Sequence, residues 1–271
     1  MISLLDHPGL TRTLFFPRLA FAPLPAGARD VMLEVERGVR LHARIHDAPG
    51  AVAVVVLFHG NGEVVSDYDD LTSRFAHAGA ALVVVDFRGY GRSEGTPTLR
   101  NLIGDAQPAL KALLSHLAGE GGSLPIVVMG RSLGSACAAE LAGAAPHLLA
   151  AVVFESGLSD LAALARRRGL AVERVAETDL EVLCPLRKLG RSRTPLLVLH
   201  GEDDTLIAPE EGRAAYEASG AEDKRFVLIP QRGHNTVSLH PLYWEALAAF
   251  LRRIASDGAA AVSAVPAPLA R

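Results

Sequence analysis

Short, unbroken apolar runs constrain this chain more than any other feature. Residues 51–58 and 126–129 are apolar throughout, and 81–87 is apolar but for Asp86. A strand with one wet face alternates polar and apolar residues, so an unbroken run is the pattern of a strand covered on both faces. Residues 149–155, 194–200 and 225–229 read as further strands. Helical spacing fills the gaps, over 65–78, over 99–117 with a break near Pro108, from Ser132 through 145, over 209–219 and over 241–255. Strand alternating with helix predicts an α/β fold, a doubly wound and mostly parallel sheet with helices on both faces.

An antiparallel pair, residues 31–36 and 40–46, precedes this pattern, and the 271 residues fit one domain over 31–256. Residues 1–30 carry Pro8, Pro17, Pro23 and Pro25 and are expected to be an irregular surface segment. Residues 158–192 show no strand pattern but helical stretches and the run Arg166, Arg167 and Arg168, so they are expected to form a short helical cap over the sheet's end. A solvated face explains those arginines better than an anionic substrate does. The tail from Asp257, with Pro266 and Pro268, is expected to be disordered.

Composition removes several function classes. Lys plus Arg is 27 against 30 Asp plus Glu, a net charge of -3 that predicts no nucleic-acid partner. No run approaches the ~20 apolar residues of a membrane span, and the first residues, which lack a basic region before an apolar core, read as no signal peptide. A cytoplasmic protein is the expectation. The two cysteines, Cys137 and Cys184, lack the spacing of a zinc or redox pair and are expected to be buried thiols. Gly89 and Gly91 suggest a dinucleotide turn, but Glu94 stands where its last glycine is needed.

The chemistry gathers in loops that follow strands. Gly130-Arg131-Ser132-Leu133-Gly134 fits GxSxG between a strand and a helix, with the serine on a sharp turn and the helix N–H groups aimed at the same place. That geometry makes Ser132 a candidate nucleophile. After residues 194–199 comes His200-Gly201-Glu202-Asp203-Asp204, and after 225–229 comes Pro230-Gln231-Arg232-Gly233-His234-Asn235. A serine needs a base and the base an orienting acid. His234 supplies the first. Asp203 and Glu202 compete with Asp204 for the second, and the HGxxD spacing selects Asp204. His59 and His200 stand where strands become loops and are expected to hold loop backbone.

Taken in order, HGNG at 59–62, DFRGYGRS at 86–93, GRSLGS at 130–135, HGEDD at 200–204 and RGHN at 232–235 make the chain resemble the alpha/beta-hydrolase family over residues 40–255. It looks most like the short-capped serine hydrolases with an HGN oxyanion loop, whose relatives act on esters, acylglycerols or peptides. The resemblance implies Ser132 as nucleophile, His234 as general base and Asp204 as its orienting carboxylate, with the backbone N–H groups of Asn61 and Leu133 as the oxyanion hole. It implies a small-molecule ester or acyl substrate, with water as the second substrate and no metal or organic cofactor. Peptidase, thioesterase and acyltransferase activities use the same residues and remain open, as does a non-catalytic binding protein on this fold.

Overall fold

In a computed structural model, residues 4–6, 8–119, 124–167, 169 and 177–263 are described. Eight strands, β1 (Ala28–Glu36), β2 (Val39–His46), β3 (Ala53–Phe58), β4 (Ala80–Val85), β5 (Ile126–Arg131), β6 (Ala151–Glu155), β7 (Leu196–Gly201) and β8 (Lys224–Ile229), form one sheet in the order β1-β2-β4-β3-β5-β6-β7-β8. β2 pairs antiparallel with both of its neighbours and every other pairing is parallel. The carboxyl ends of β3, β5, β7 and β8 therefore open on the same edge, where an open α/β sheet collects its ligands.

β3 shows why its run is unbroken. Ala53, Val55 and Leu57 enter the core on one face, while Val54, Val56 and Phe58 enter the core on the other. Successive side chains point to opposite faces, so a doubly covered strand has no position left for a polar residue. Helices α1 (Pro8–Leu14), α2 (Thr72–Ala78), α3 (Leu99–Gly104), α4 (Ala106–Gly119), α5 (Ser135–Ala144), α6 (Leu161–Arg167), α7 (Glu177–Val182), α8 (Pro185–Arg191), α9 (Pro209–Ala218) and α10 (Pro241–Ser263) supply the cover. α2 and α10 lie on one face, and α4, α5 and α9 on the other. α5 is buried nearly all round through Ala136, Cys137, Ala138, Ala139, Leu141 and Ala142, small side chains that let it lie close to the sheet.

Several expectations are corrected. Residues 1–30 are not uniformly irregular: α1 starts on Pro8, a residue accepted in a first helical turn because its missing N–H has no intrahelical partner there. Residues 65–78 begin as a 3-10 turn, Val65–Leu71, before α2. The break in 99–117 falls at Asp105, and Pro108 is carried in the first turn of α4. α10 continues past Asp257 to Ser263 on helix-favouring alanines, and residues 264–271 lie outside the described residues. Within 158–192, α8 packs sideways against α5 and α9, and Lys188 pairs with Glu140 of α5 at 2.7 Å. Cys137 is buried, but Cys184 is only half-buried.

Candidate active site

Ser132 follows β5 with φ 50°, a left-handed conformation that costs a non-glycine residue energy and raises its side chain out of the chain's path. Gly134 makes the turn sterically possible, because a Cβ there would stand 2.0 Å from the Phe58 carbonyl oxygen and 2.8 Å from that of His59. The turn is braced from beneath. Ser135 donates its hydroxyl to the Ser132 carbonyl at 2.6 Å and accepts the Leu158 N–H at 2.9 Å.

Two further loops meet Ser132. Gly201, which ends β7, lets the loop after β8 come close, since a Cβ on it would stand 2.2 Å from the Arg232 carbonyl oxygen. His234 Nδ1 consequently lies 2.8 Å from Asp204 Oδ2, and its Nε2 lies 3.0 Å from Ser132 Oγ. Asp204 is buried, whereas Glu202 and Asp203 are exposed, and it is Asp204 that meets the imidazole. Its other oxygen accepts the N–H groups of Leu206 and Ile207 at 3.0 and 2.9 Å. Burial alone would raise the Asp204 carboxyl's pKa, but the histidines His200 and His234 and the Ile207 N–H hold it well below the ordinary range. An ionised Asp204 accepts the Nδ1–H of the imidazole, the tautomer that leaves Nε2 to accept from the serine.

Asn61 lines the same cleft, of about 460 Å³, with Phe16, Gly62, Glu63, Arg131, Ser132, Leu206, His234 and Asn235. Leu133 follows Ser132 with its side chain buried. His59 Nδ1 reaches the Gly60 carbonyl at 2.7 Å and His200 Nε2 the Ile207 carbonyl at 2.9 Å, the loop-holding roles their positions suggest. Of the arginine run, Arg167 pairs with Glu211 and Arg166 stands 3.8 Å from Asp160 on the surface, while Arg168 lies outside the described residues. Among the described residues of 158–192 none lines this cleft, whose apolar lining is Phe16 and Leu206. Among the described residues no group of side chains has the makings of a metal site, and no helix is long and apolar enough to cross a membrane.

The family described as serine aminopeptidase, S33, matches residues 49–178 and 185–238. The chain belongs to the alpha/beta-hydrolase family. It is similar to an uncharacterized Mycobacterium tuberculosis protein, 30% identical over 84% of this chain and 81% of that one. An alpha/beta hydrolase domain-containing protein of Caenorhabditis elegans is 29% identical over 78% of this chain and 61% of its own length. Among solved structures, the Pyrococcus furiosus esterase Pf2001 superposes with a TM-score of 0.69 at 20% identity, covering 88% of this chain and 98% of that one. Thermogutta terrifontis esterase 2, solved phosphoramylated by tabun, superposes with a TM-score of 0.66 at 20% identity, covering 86% and 96%.

In this alpha/beta hydrolase the sequence motifs gave no notice of a charged cluster behind the serine. Arg131, the variable residue inside GxSxG, is buried with its Nε 3.1 Å from Glu155 Oε1, its Nη1 on Glu63 Oε1 and its Nη2 2.8 Å from Asn235 Oδ1. Tyr243 donates to Glu155 at 2.6 Å, and Glu63 accepts from Tyr68 and from the Gly60 N–H, each at 2.7 Å. Burial pushes the Glu155 carboxyl's pKa up, against the pull of Arg131 and Tyr243. The cluster ties the HGNG loop, the serine turn and the histidine loop to one guanidinium, whose planar fork suits several acceptors at once. The one signal that could have raised the question is a charged residue between the buried end of a strand and a tight turn, which needs partners but does not say which.

Proposed function

We propose that this hydrolase cleaves a carboxylic ester through an acyl-enzyme on Ser132. The observation that carries the reading is the run of short contacts from Asp204 through His234 to Ser132, ending in an open cleft. Ser132 Oγ attacks the ester carbonyl carbon as its proton passes to His234 Nε2, and Asp204 stabilises the imidazolium that results. The electron pair displaced onto the carbonyl oxygen is met by the N–H groups of Asn61 and Leu133, a type of donor whose loss typically costs about 3 kcal/mol. Collapse expels the alcohol, which takes the proton from His234. Water then repeats the sequence at the acyl group and releases the acid and free Ser132.

The family description names an aminopeptidase, and a peptide is the second reading. An ester is favoured because the carboxylate among the described lining residues, Glu63, is already engaged by Arg131, Tyr68 and the Gly60 N–H, so it does not stand free for a peptide's α-amine. The esterase neighbours point the same way, and the organophosphorus adduct named for Thermogutta esterase 2 suggests the probe. Intact-mass spectrometry after fluorophosphonate treatment should show a single adduct on the wild type and none on Ser132→Ala. On p-nitrophenyl esters that substitution should cost at least about a thousandfold in kcat. An unchanged rate would end the serine mechanism, and turnover of aminoacyl amides without esters would favour the peptidase.

A further inference from the structure

The strap at residues 14–18 lies ahead of the sheet yet is stitched into the cleft. Leu14 and Phe15 are buried in the core, which anchors it. From there it runs across the HGNG loop, and the Asn61 side chain spends its hydrogen-bonding groups on it. Asn61 Nδ2 donates to the Leu14 carbonyl, and Asn61 Oδ1 accepts the Phe16 N–H at 3.0 Å and the Tyr90 hydroxyl at 2.7 Å. The Phe16 N–H is shared with Tyr90 Oη, also at 3.0 Å, and Tyr90 is fully buried. Arg18 Nε adds a bond to the Gly62 carbonyl at 2.8 Å, and the Gly91 N–H donates to the Arg18 carbonyl at 2.9 Å. The Asn61 side chain and, one residue on, the Gly62 carbonyl are thus tied to the strap or to Tyr90.

Phe16 is the product of this stitching. Its backbone is held at the cleft's edge, and its ring remains 52% exposed, on the wall that also holds Leu206, 63% exposed. The rest of the wall, Glu63, Arg131 and Asn235, is polar and mutually engaged. An apolar substituent entering the cleft has these two side chains to cover it.

We propose that the strap is a working wall of the site: through the Asn61 side chain it positions the Asn61 backbone N–H, and through Phe16, with Leu206, it selects esters bearing an apolar acyl chain. The inference rests on the reading of Ser132 and the Asn61 N–H given above. A donor aimed at a developing oxyanion acts only when held within a fraction of an ångström. Asn61 is therefore a residue whose main chain serves the reaction and whose side chain holds that main chain in place.

The test uses the full-length protein, with active sites counted by fluorophosphonate titration so that misfolded molecules drop out. Asn61→Ala keeps the backbone N–H and removes the clasp. It should lower kcat per titrated site about tenfold on p-nitrophenyl acetate with little change in KM, and speed amide hydrogen exchange across residues 59–64. If Asn61→Ala does not fold, Tyr90→Phe removes two of the same bonds and is read in the same way. Phe16→Ala should lower kcat/KM for p-nitrophenyl octanoate roughly tenfold relative to the acetate. Unchanged kcat and exchange in the clasp variants would overturn the positioning role, and an equal effect of Phe16→Ala on both esters would overturn the selective one. A wild type that takes no adduct would instead refute the hydrolase reading, and the exchange measurement alone would then decide whether the clasp holds the loop.

Discussion

Gly134 and Ser132 show how much of the site is enforced by single atoms. A methyl group at 134 has backbone oxygens of Phe58 and His59 within 2.8 Å, and backbone does not swing aside as a side chain does. Gly134→Ala should therefore push the serine turn off β3, lower the melting temperature, and slow fluorophosphonate labelling at least about a hundredfold. Gly104 is the matched control. Nothing stands within 4 Å of a Cβ there and the residue is helical, so Gly104→Ala should be neutral or stabilise by up to about 1 kcal/mol in thermal denaturation. This is also why Ser132, Asp204 and His234 stood out in the sequence as candidates: glycines that a close approach demands, Gly134 and Gly201, sit at fixed offsets from two of them. Asp204 could be preferred to Asp203 by spacing alone, and its burial follows from the Leu206 and Ile207 N–H groups that it accepts.

Elements meet at Arg131, where the ends of β5 and β6, the loop after β3 and the loop after β8 converge. A buried guanidinium between two carboxylates cannot be removed without leaving them facing each other in a medium that disfavours charge. Arg131→Met should cost about 3–5 kcal/mol in urea denaturation. Combining it with Glu155→Gln should restore part of that loss, because the fully buried carboxylate is then gone. None of this was legible, since residues 63, 131 and 155 are far apart in the chain and become neighbours only through the strand order. Strands themselves were legible, because two-sided burial imposes an unbroken apolar run. Helix starts were less so. Pro8 read as a breaker and proved to open α1, and Asp105 rather than Pro108 divides α3 from α4.

At the scale of the whole molecule, acid is the stress that the fold is built to resist down to a definite point. Asp86, buried below the HGNG loop, would be raised by desolvation, but His42, 2.8 Å away, and His59 bring its carboxyl down to about 2 from an ordinary 3.8. Asp204 is lowered as well. A carboxyl depressed by folding contributes stability that is complete above its unfolded pKa and is lost as pH falls through its folded one. Asp86 alone is worth roughly 2 kcal/mol on this reasoning. Urea midpoints should hold between pH 6 and about 4.5 and then fall steeply toward pH 2, and Asp86→Asn should flatten that limb.

The strand order and the sideways packing of α8 needed three dimensions, whereas the alternation that dictates the fold class did not. One consequence follows from the strap. The family match begins at residue 49, so residues 14–18 lie wholly outside the stretch by which such chains are sorted into kinds. Mutations there can drift without disturbing any of the five motifs. On the proposed reading of the strap, relatives grouped by motif alone would share a reaction while differing in diet, and a chimera exchanging only the first 18 residues would be the shortest route from one appetite to another.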